Sequence, residues 1–258
     1  MQLNKYASLG ASLAMATSSL LGSANTANAA QWQADAGALI YNENDCRIQA
    51  VEPALNIKRE YSDGSSLNLH GVYDTLTGAS PNGAARANKL QTFTSASGRA
   101  HENEEDSTRG VYTIAPGETP LDNSFKDQRG VVSIGWTTAP KNGYTATTGA
   151  AISSEHDFTS FSVNGAIKRD FNDKNTTLSL GTNLEFDNIK PIGGVPVPLG
   201  TYSAHATQNG QDSKQVYDLM AGLTQAINRH WIAQLNISVS ASSGYQNDPY
   251  KMLTVAND

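Results

Sequence analysis

The sequence predicts an all-β fold, an antiparallel up-and-down transmembrane β-barrel, and three observations predict it. Segments of about ten residues alternate apolar and polar side chains with period two. The connections between these segments differ in length in a regular way, tight then long. A leader of secretory type opens the chain. The stretch TTLSLGTNLEFD shows the first pattern: Leu178, Leu180, Leu184 and Phe186 fall on one parity, and Ser179, Gly181, Asn183 and Glu185 on the other. Successive side chains of a strand point to opposite faces, so this strand has one oily and one polar face. In a soluble sandwich the oily face packs on a core. In an outer-membrane barrel it meets lipid.

The leader, residues 1–29, is read as a signal peptide. Lys5 lies in a short basic region, a small-residue apolar stretch runs from Tyr6 to Leu21, and Ala27-Asn28-Ala29 is a small-x-small cleavage site. The mature chain, residues 30–258, then starts near Ala30 and leaves the cytoplasm. Beyond the leader no window of about 18 apolar residues exists, so no helical span is expected. The 258 residues are 38% hydrophobic with a net charge of −6. That charge weighs slightly against nucleic acid as a partner, which needs clustered Lys and Arg. The single cysteine, Cys46, cannot form an internal disulfide and lies too far from the cleavage site to carry a lipid. It reads as an unreactive thiol at a strand end.

The strands follow in order. GALIYN (Gly37 to Asn42) is the first, and ALNIKREY the second, with Leu55, Ile57 and Tyr61 on one parity. The turn Ser62-Asp63-Gly64 leads into SLNLHGVYD, where Leu67, Leu69 and Tyr73 oppose Asn68, His70 and Asp74. A long interruption, 75–128, is rich in Gly, Pro, Ser, Asn and charge. VVSIGWTT, the turn Lys141-Asn142-Gly143 and YTATTGAAIS form a hairpin. FSVNGAIKRDF, the turn Asn172 to Asn175 and TTLSLGTNLEFD form another. A second long connection covers 187–214. VYDLMAGLTQAI also suits a helix by composition, but Tyr217, Leu219, Leu223 and Ile227 alternate with Asp218, Gly222 and Thr224, which makes it a strand. WIAQLNISVSA closes the series after Asn228-Arg229-His230. The count is about nine strands.

Strands of this length suit a tilted bilayer crossing, whereas soluble strands average about five or six residues. Antiparallel strands alternate direction, so the tight turns collect at one end and the mostly long loops, with SEHD as the short exception, at the other. Short periplasmic turns and long extracellular loops are the outer-membrane arrangement. The loops near 75–128 and 187–214 are therefore expected outside the cell.

The stretches YDTLTGASPNGA, QTFTSASG, PGETPLDNSFKDQR, RDFNDKNTTLSLG, LTQAINRHWIAQLN and SSGYQNDPYKMLTV resemble a family of Gram-negative bacterial proteins, domain of unknown function 3570. The resemblance covers about Tyr41 to Val255. It implies an outer-membrane β-barrel and supplies no catalytic residue set. Members are usually longer, and DPYKMLTV looks like the start of a further strand. Single-chain bacterial barrels have an even strand number. The barrel is therefore expected to be incomplete, either the N-terminal portion of a longer one or a shortened member closed by a partner.

Candidate sites are each weaker than their plain structural reading. Glu155, His156 and Asp157 in SEHD suggest a metal or acid–base cluster, but neighbours on a strand point to opposite faces. His101, Glu102, Glu104, Glu105 and Asp106 lack the spaced pattern of a calcium loop and read as a solvated loop tip. TGASPNGA (Thr77 to Ala84) matches neither a nucleophile elbow nor a phosphate loop and reads as a rigid loop. Tyr245, Tyr250, Trp136, Tyr144, Phe161 and Trp231 are candidates for an interfacial aromatic girdle. No catalytic, cofactor-binding or metal residue is assigned, and no cofactor or enzymatic activity is expected. The expected role is an outer-membrane channel or a scaffold for a periplasmic or lipoprotein partner. Its surroundings would be outer-membrane lipid, lipopolysaccharide and the barrel-assembly machinery. The alternatives are an outer-membrane enzyme with a site at the rim, and a soluble secreted β-domain that binds ligand through its loops.

Overall fold

A computed structural model describes residues 31–44, 48–96, 111–201 and 210–255. Residues 1–29, read above as a signal peptide, Cys46 and the acidic run His101 to Asp106 lie outside the described residues. Among these residues the fold is all-β, with no α-helix. Among them, too, no helix is long and apolar enough to cross a membrane.

Nine strands form one antiparallel sheet: β1 (Gln31–Asn42), β2 (Ile48–Glu60), β3 (Ser66–Pro81), β6 (Leu121–Thr137), β7 (Tyr144–Ser154), β8 (Phe158–Phe171), β9 (Thr176–Ile189), β10 (Asp212–Asn228) and β11 (Trp231–Gly244). Their order in the sheet is their order in the chain. A small hairpin, β4 (Gln91–Thr94) with β5 (Val111–Ile114), interrupts the series between β3 and β6. The nine strands counted along the sequence are all present, and VYDLMAGLTQAI is β10 rather than a helix.

The turns explain themselves locally. Asn142 and Gly143 have φ of 53° and 80°, and Lys141 and Tyr144 exchange both backbone hydrogen bonds at 2.9 Å. This is the two-residue turn that matches strand twist, and it needs positive φ at both central positions. A Cβ on Gly143 would also stand 2.9 Å from the Asp170 carbonyl oxygen. At the β2–β3 turn, the Asp63 carboxylate accepts bonds from the Ser65 amide and hydroxyl at 2.8 and 2.6 Å. These bonds hold the exposed Asp63 carboxyl below its usual range.

The tight turns, β2–β3, β6–β7, β8–β9 and β10–β11, share one end, called here the turn end. The β3–β6, β7–β8 and β9–β10 connections share the other, the loop end. Successive hairpins are staggered. The row that starts at Ser66 beside the β2–β3 turn passes through Thr137, Thr147, Ala166, Gly181 and Met220 to Ser238, in the middle of β11. The strands therefore tilt across the direction in which the sheet extends.

The interruption expected over 75–128 is shorter than its composition suggested. β3 runs on to Pro81 and β6 starts at Leu121, paired through a register shift between Gly78 and Ser80. Polar, small residues there looked like loop because one face of this sheet is polar along its whole length. Thr77 to Pro81 of TGASPNGA are accordingly strand, and Asn82 to Ala84 loop. DPYKMLTV is not a strand: the described residues 251–255 have no ladder and cross the loop end instead.

Burial is inverted relative to a water-soluble sheet. On β9 the oily residues Leu180 and Phe186 are 51% and 44% exposed, while Asn183 and Asp187 are 9% and 3%. β10 repeats this, with Tyr217, Leu219, Leu223 and Ile227 outward and Asp218 and Met220 inward. Among the described residues no second layer covers the polar face, and a flat single sheet would expose both faces alike. The sheet curls towards its polar side, which makes the oily side convex. β1 and β11 are exposed at every position and, among the described residues, have no hydrogen-bonded neighbour on their outer edge.

The buried apolar core sits at the loop end. Phe93 and Tyr112 are cross-strand partners of the small hairpin with ring centroids 5.7 Å apart, and Ile114, Ala84 and Met252 pack on them. Asn82 Nδ2 donates to the Tyr112 hydroxyl at 2.9 Å, and Ser95 donates to Asp122 at 2.5 Å, which ties the hairpin to β6.

Candidate functional site

Carboxylates gather on the concave face near the loop end, and the ladder explains why. Antiparallel partners share a face. Asp74 on β3 is the register partner of Arg129 on β6, whose guanidinium donates through Nε to Asp74 Oδ2 at 2.6 Å. Glu155 Oε1 lies 4.0 Å from the same Nε. Asp127, two residues before Arg129, has the same parity. Across the sheet, Asp187 on β9 is wholly buried and pairs with Lys214 on β10 at 2.9 Å, and Asn183 donates to Asp218 at 3.1 Å. Glu185 sits between Asn183 and Asp187 on the same parity.

The β7–β8 connection delivers the SEHD residues as strand geometry dictates. Glu155 and Asp157, two apart, both turn inward, and His156 between them is exposed. Burial is the main cause that pushes the Glu155 carboxyl up to about 7, with Asp127 adding to it and Arg129 opposing. Asp157 is also raised by burial, against the lowering effect of its bond from Tyr250.

Tyr250 comes from the segment after β11. Its hydroxyl donates to Asp157 Oδ2 at 2.6 Å and accepts from the Ile192 amide at 2.8 Å. Burial and the adjacent Asp157 carboxylate raise its pKa well above the ordinary tyrosine value. The same segment continues to Met252, whose amide donates to the Asn82 carbonyl at 2.7 Å, and to Thr254, which accepts from the Ala85 amide at 2.9 Å. Gly83 admits it: a Cβ there would lie 2.6 Å from the Met252 carbonyl oxygen. The segment after β11 thus reaches across the loop end to the β3–β6 connection. Tyr245, expected at a bilayer interface, is instead buried at this end, and Tyr250 points into the carboxylates. The Tyr245 amide donates to the Ser213 carbonyl at 2.9 Å, which holds it beside β10, and the bonds to Asp157 and Ile192 turn Tyr250 inward.

The other aromatic candidates do face outward. Trp136, Tyr144, Phe161 and Trp231 are all exposed on the convex face.

Chemically, the inner cluster can hold or exchange protons and attract cations. Among the described residues no group of three or more His, Cys, Asp and Glu is placed to hold a metal. Sequence reasoning missed the Asp74–Arg129 pair because both lie at the edges of the presumed loop. The Tyr250–Asp157 bond spans 93 residues and carries no local signal.

The profile of the family described as "Protein of unknown function (DUF3570)" matches residues 10–258. The chain belongs to the DUF3570 family. Among curated proteins and solved structures, none matches it. Membership agrees with the resemblance carried by the motifs, and the DUF3570 description names no activity.

Proposed function

We propose that this DUF3570 protein is an integral outer-membrane β-barrel component, non-enzymatic, and a channel wall or scaffold for an envelope partner. One observation carries this reading: between the edge strands β1 and β11, the oily parity of the sheet is exposed and the polar parity is shielded. In water this inversion would leave a large apolar surface uncovered. In a bilayer the same surface is solvated by lipid, and the polar face lines an interior. Strand lengths of 11 to 17 residues in the main sheet, staggered hairpins and segregated turns support it.

The free edges favour the scaffold form. Nine alternating strands leave β1 and β11 running in the same direction. An all-antiparallel closure takes an odd number of further strands, from a partner or from more chain of this protein. Left open in hydrocarbon, each unpaired backbone group would cost several kcal/mol.

Detergent-dependent extraction and heat-modifiable gel mobility are the expected behaviours. Recovery of the mature chain as a soluble periplasmic monomer would overturn the reading. Spin labels on Leu180→Cys and Asn183→Cys, in a Cys46→Ser background, test the orientation. The label at 180 should meet lipid-soluble oxygen and the label at 183 a water-soluble relaxant. The reverse would place the wrong face in the membrane.

A further inference from the structure

The arginines of the convex face differ from the cations of the concave one. Arg129 and Lys214 face inward and are paired with Asp74 and Asp187. Arg59 and Arg169 lie on the outward parity of β2 and β8, and neither has a carboxylate partner among the described residues. Each is held by two aromatic rings instead. The Arg59 guanidinium stands 5.0 Å from the Trp32 ring and 4.7 Å from the Tyr61 ring. Tyr61 in turn lies 5.4 Å from Trp136. The Arg169 guanidinium stands 4.8 Å from Tyr144 and 4.6 Å from Phe171.

We propose that these two Arg–aromatic clamps bind phospholipid phosphate groups in the leaflet at the turn end. This rests on the membrane reading above. Ring faces fix the guanidinium plane and attract its charge, but they satisfy none of its five N–H donors in a directed way. Arg59 Nε is buried and has no hydrogen-bond partner, so the fork offered to a ligand is the terminal Nη1 and Nη2 pair. A planar cation so fixed presents a fork that fits a phosphate through two parallel bonds.

The depth suits that ligand. All three tryptophans of the chain sit at the turn end: Trp32 is the second residue of β1, Trp136 the last but one of β6 and Trp231 the first of β11. All face outward, and such a belt marks the water–hydrocarbon boundary, where headgroup phosphates lie. Arg59 is the register partner of Trp32, and Arg169 of Tyr144, so both guanidiniums share that level with the rings.

The test uses the full chain folded in detergent micelles, with phosphatidylglycerol and chain-matched diacylglycerol as probes and native mass spectrometry as the readout. Wild type should retain phosphatidylglycerol and release diacylglycerol. Arg59→Gln with Arg169→Gln should weaken retention by about tenfold or more, the scale of one charge-assisted hydrogen bond. Arg59→Lys combined with Arg169→Gln should restore only part of it. Lys141→Gln, which removes a charge from the same end outside any clamp, should leave it unchanged. Heat-modifiable mobility of the same samples reports folding. Equal retention by the folded double variant, equal binding of diacylglycerol, or an equal loss in Lys141→Gln would overturn the clamps alone. A wild type that never shows heat-modifiable folding in micelles would overturn the membrane reading and the clamps with it.

Discussion

The two ends of this molecule are built on different physics. The loop end is a small conventional protein interior: Phe93, Tyr112 and Ile114 are buried, and hydrogen bonds join Asn82 to Tyr112 and Ser95 to Asp122 around them. The turn end has no buried apolar residue among the described residues and keeps its tryptophans and tyrosines outside. Between the two, the wall is held by ladder hydrogen bonds and side-chain alternation. The loop end therefore carries its own solvent exclusion, whereas the wall relies on its surroundings to cover its oily face. Substitutions at the two places should fail in different assays.

The largest effect is expected at the loop end. Phe93→Ala should cost about 3–5 kcal/mol, the usual range for emptying a buried aromatic site. The loss should be local: amide exchange should quicken in the small hairpin and in residues 250–254, while β8 and β9 keep their protection. Uniform quickening through the wall would show that the two regions are one cooperative unit.

On the proposed membrane reading, the wall should respond next, and only on its outward face. Leu180→Arg should destabilise the vesicle-inserted protein by about 2–4 kcal/mol near mid-bilayer. Asn183→Ser, three residues on but inward, removes one hydrogen bond to Asp218 and should cost far less. Urea titration of both variants in vesicles measures the contrast, and equal costs would erase the distinction between the faces.

A smaller change belongs to the turn end. Gly143→Ala places a side chain at φ +80° and against the Asp170 carbonyl, for a cost of about 1–2 kcal/mol. Since the β6–β7 hairpin is set by that turn, slower refolding should accompany it, read by the rate at which the heat-modifiable band appears.

The smallest effect is a pH dependence confined to the loop end. Glu155 has a folded pKa of about 7, raised from 4.5, so the folded state favours its protonated form. Its contribution is fully present below about pH 4.5 and is lost as pH rises through about 7. Amide exchange in the β7–β8 connection should therefore be slower at pH 5 than at pH 8 after correction for intrinsic rates. Glu155→Gln should remove the difference.

Much of this was legible in the chain. Period-two runs located all nine strands of the sheet because each strand has one polar and one apolar face, and that contrast survives in a bare list of residues. Lys141-Asn142-Gly143 announced its turn because few residues accept positive φ twice in succession. SEHD already implied that Glu155 and Asp157 share a face and His156 does not. The region 75–128 was misread for a physical reason. Where the inward face is polar, strand and loop have nearly the same composition, so Thr75 to Pro81 and Leu121 to Gln128 looked alike as loop. The Arg–aromatic clamps were half visible: Tyr144 and Trp136, the neighbour of Tyr61, were marked as girdle aromatics, but the arginines between the rings were not.

By itself the sequence determined the strands, their alternation, the tight turns and the segregation of turns from loops, because each depends on neighbours within a few residues. Only the tertiary structure decided which face is shielded, since alternation is symmetric until the sheet curls one way. It alone placed Tyr250 on Asp157, Met252 on Phe93 and Arg59 between Trp32 and Tyr61. Those contacts depend on register and curvature, which join residues from separate strands and loops and leave no periodic trace along the chain.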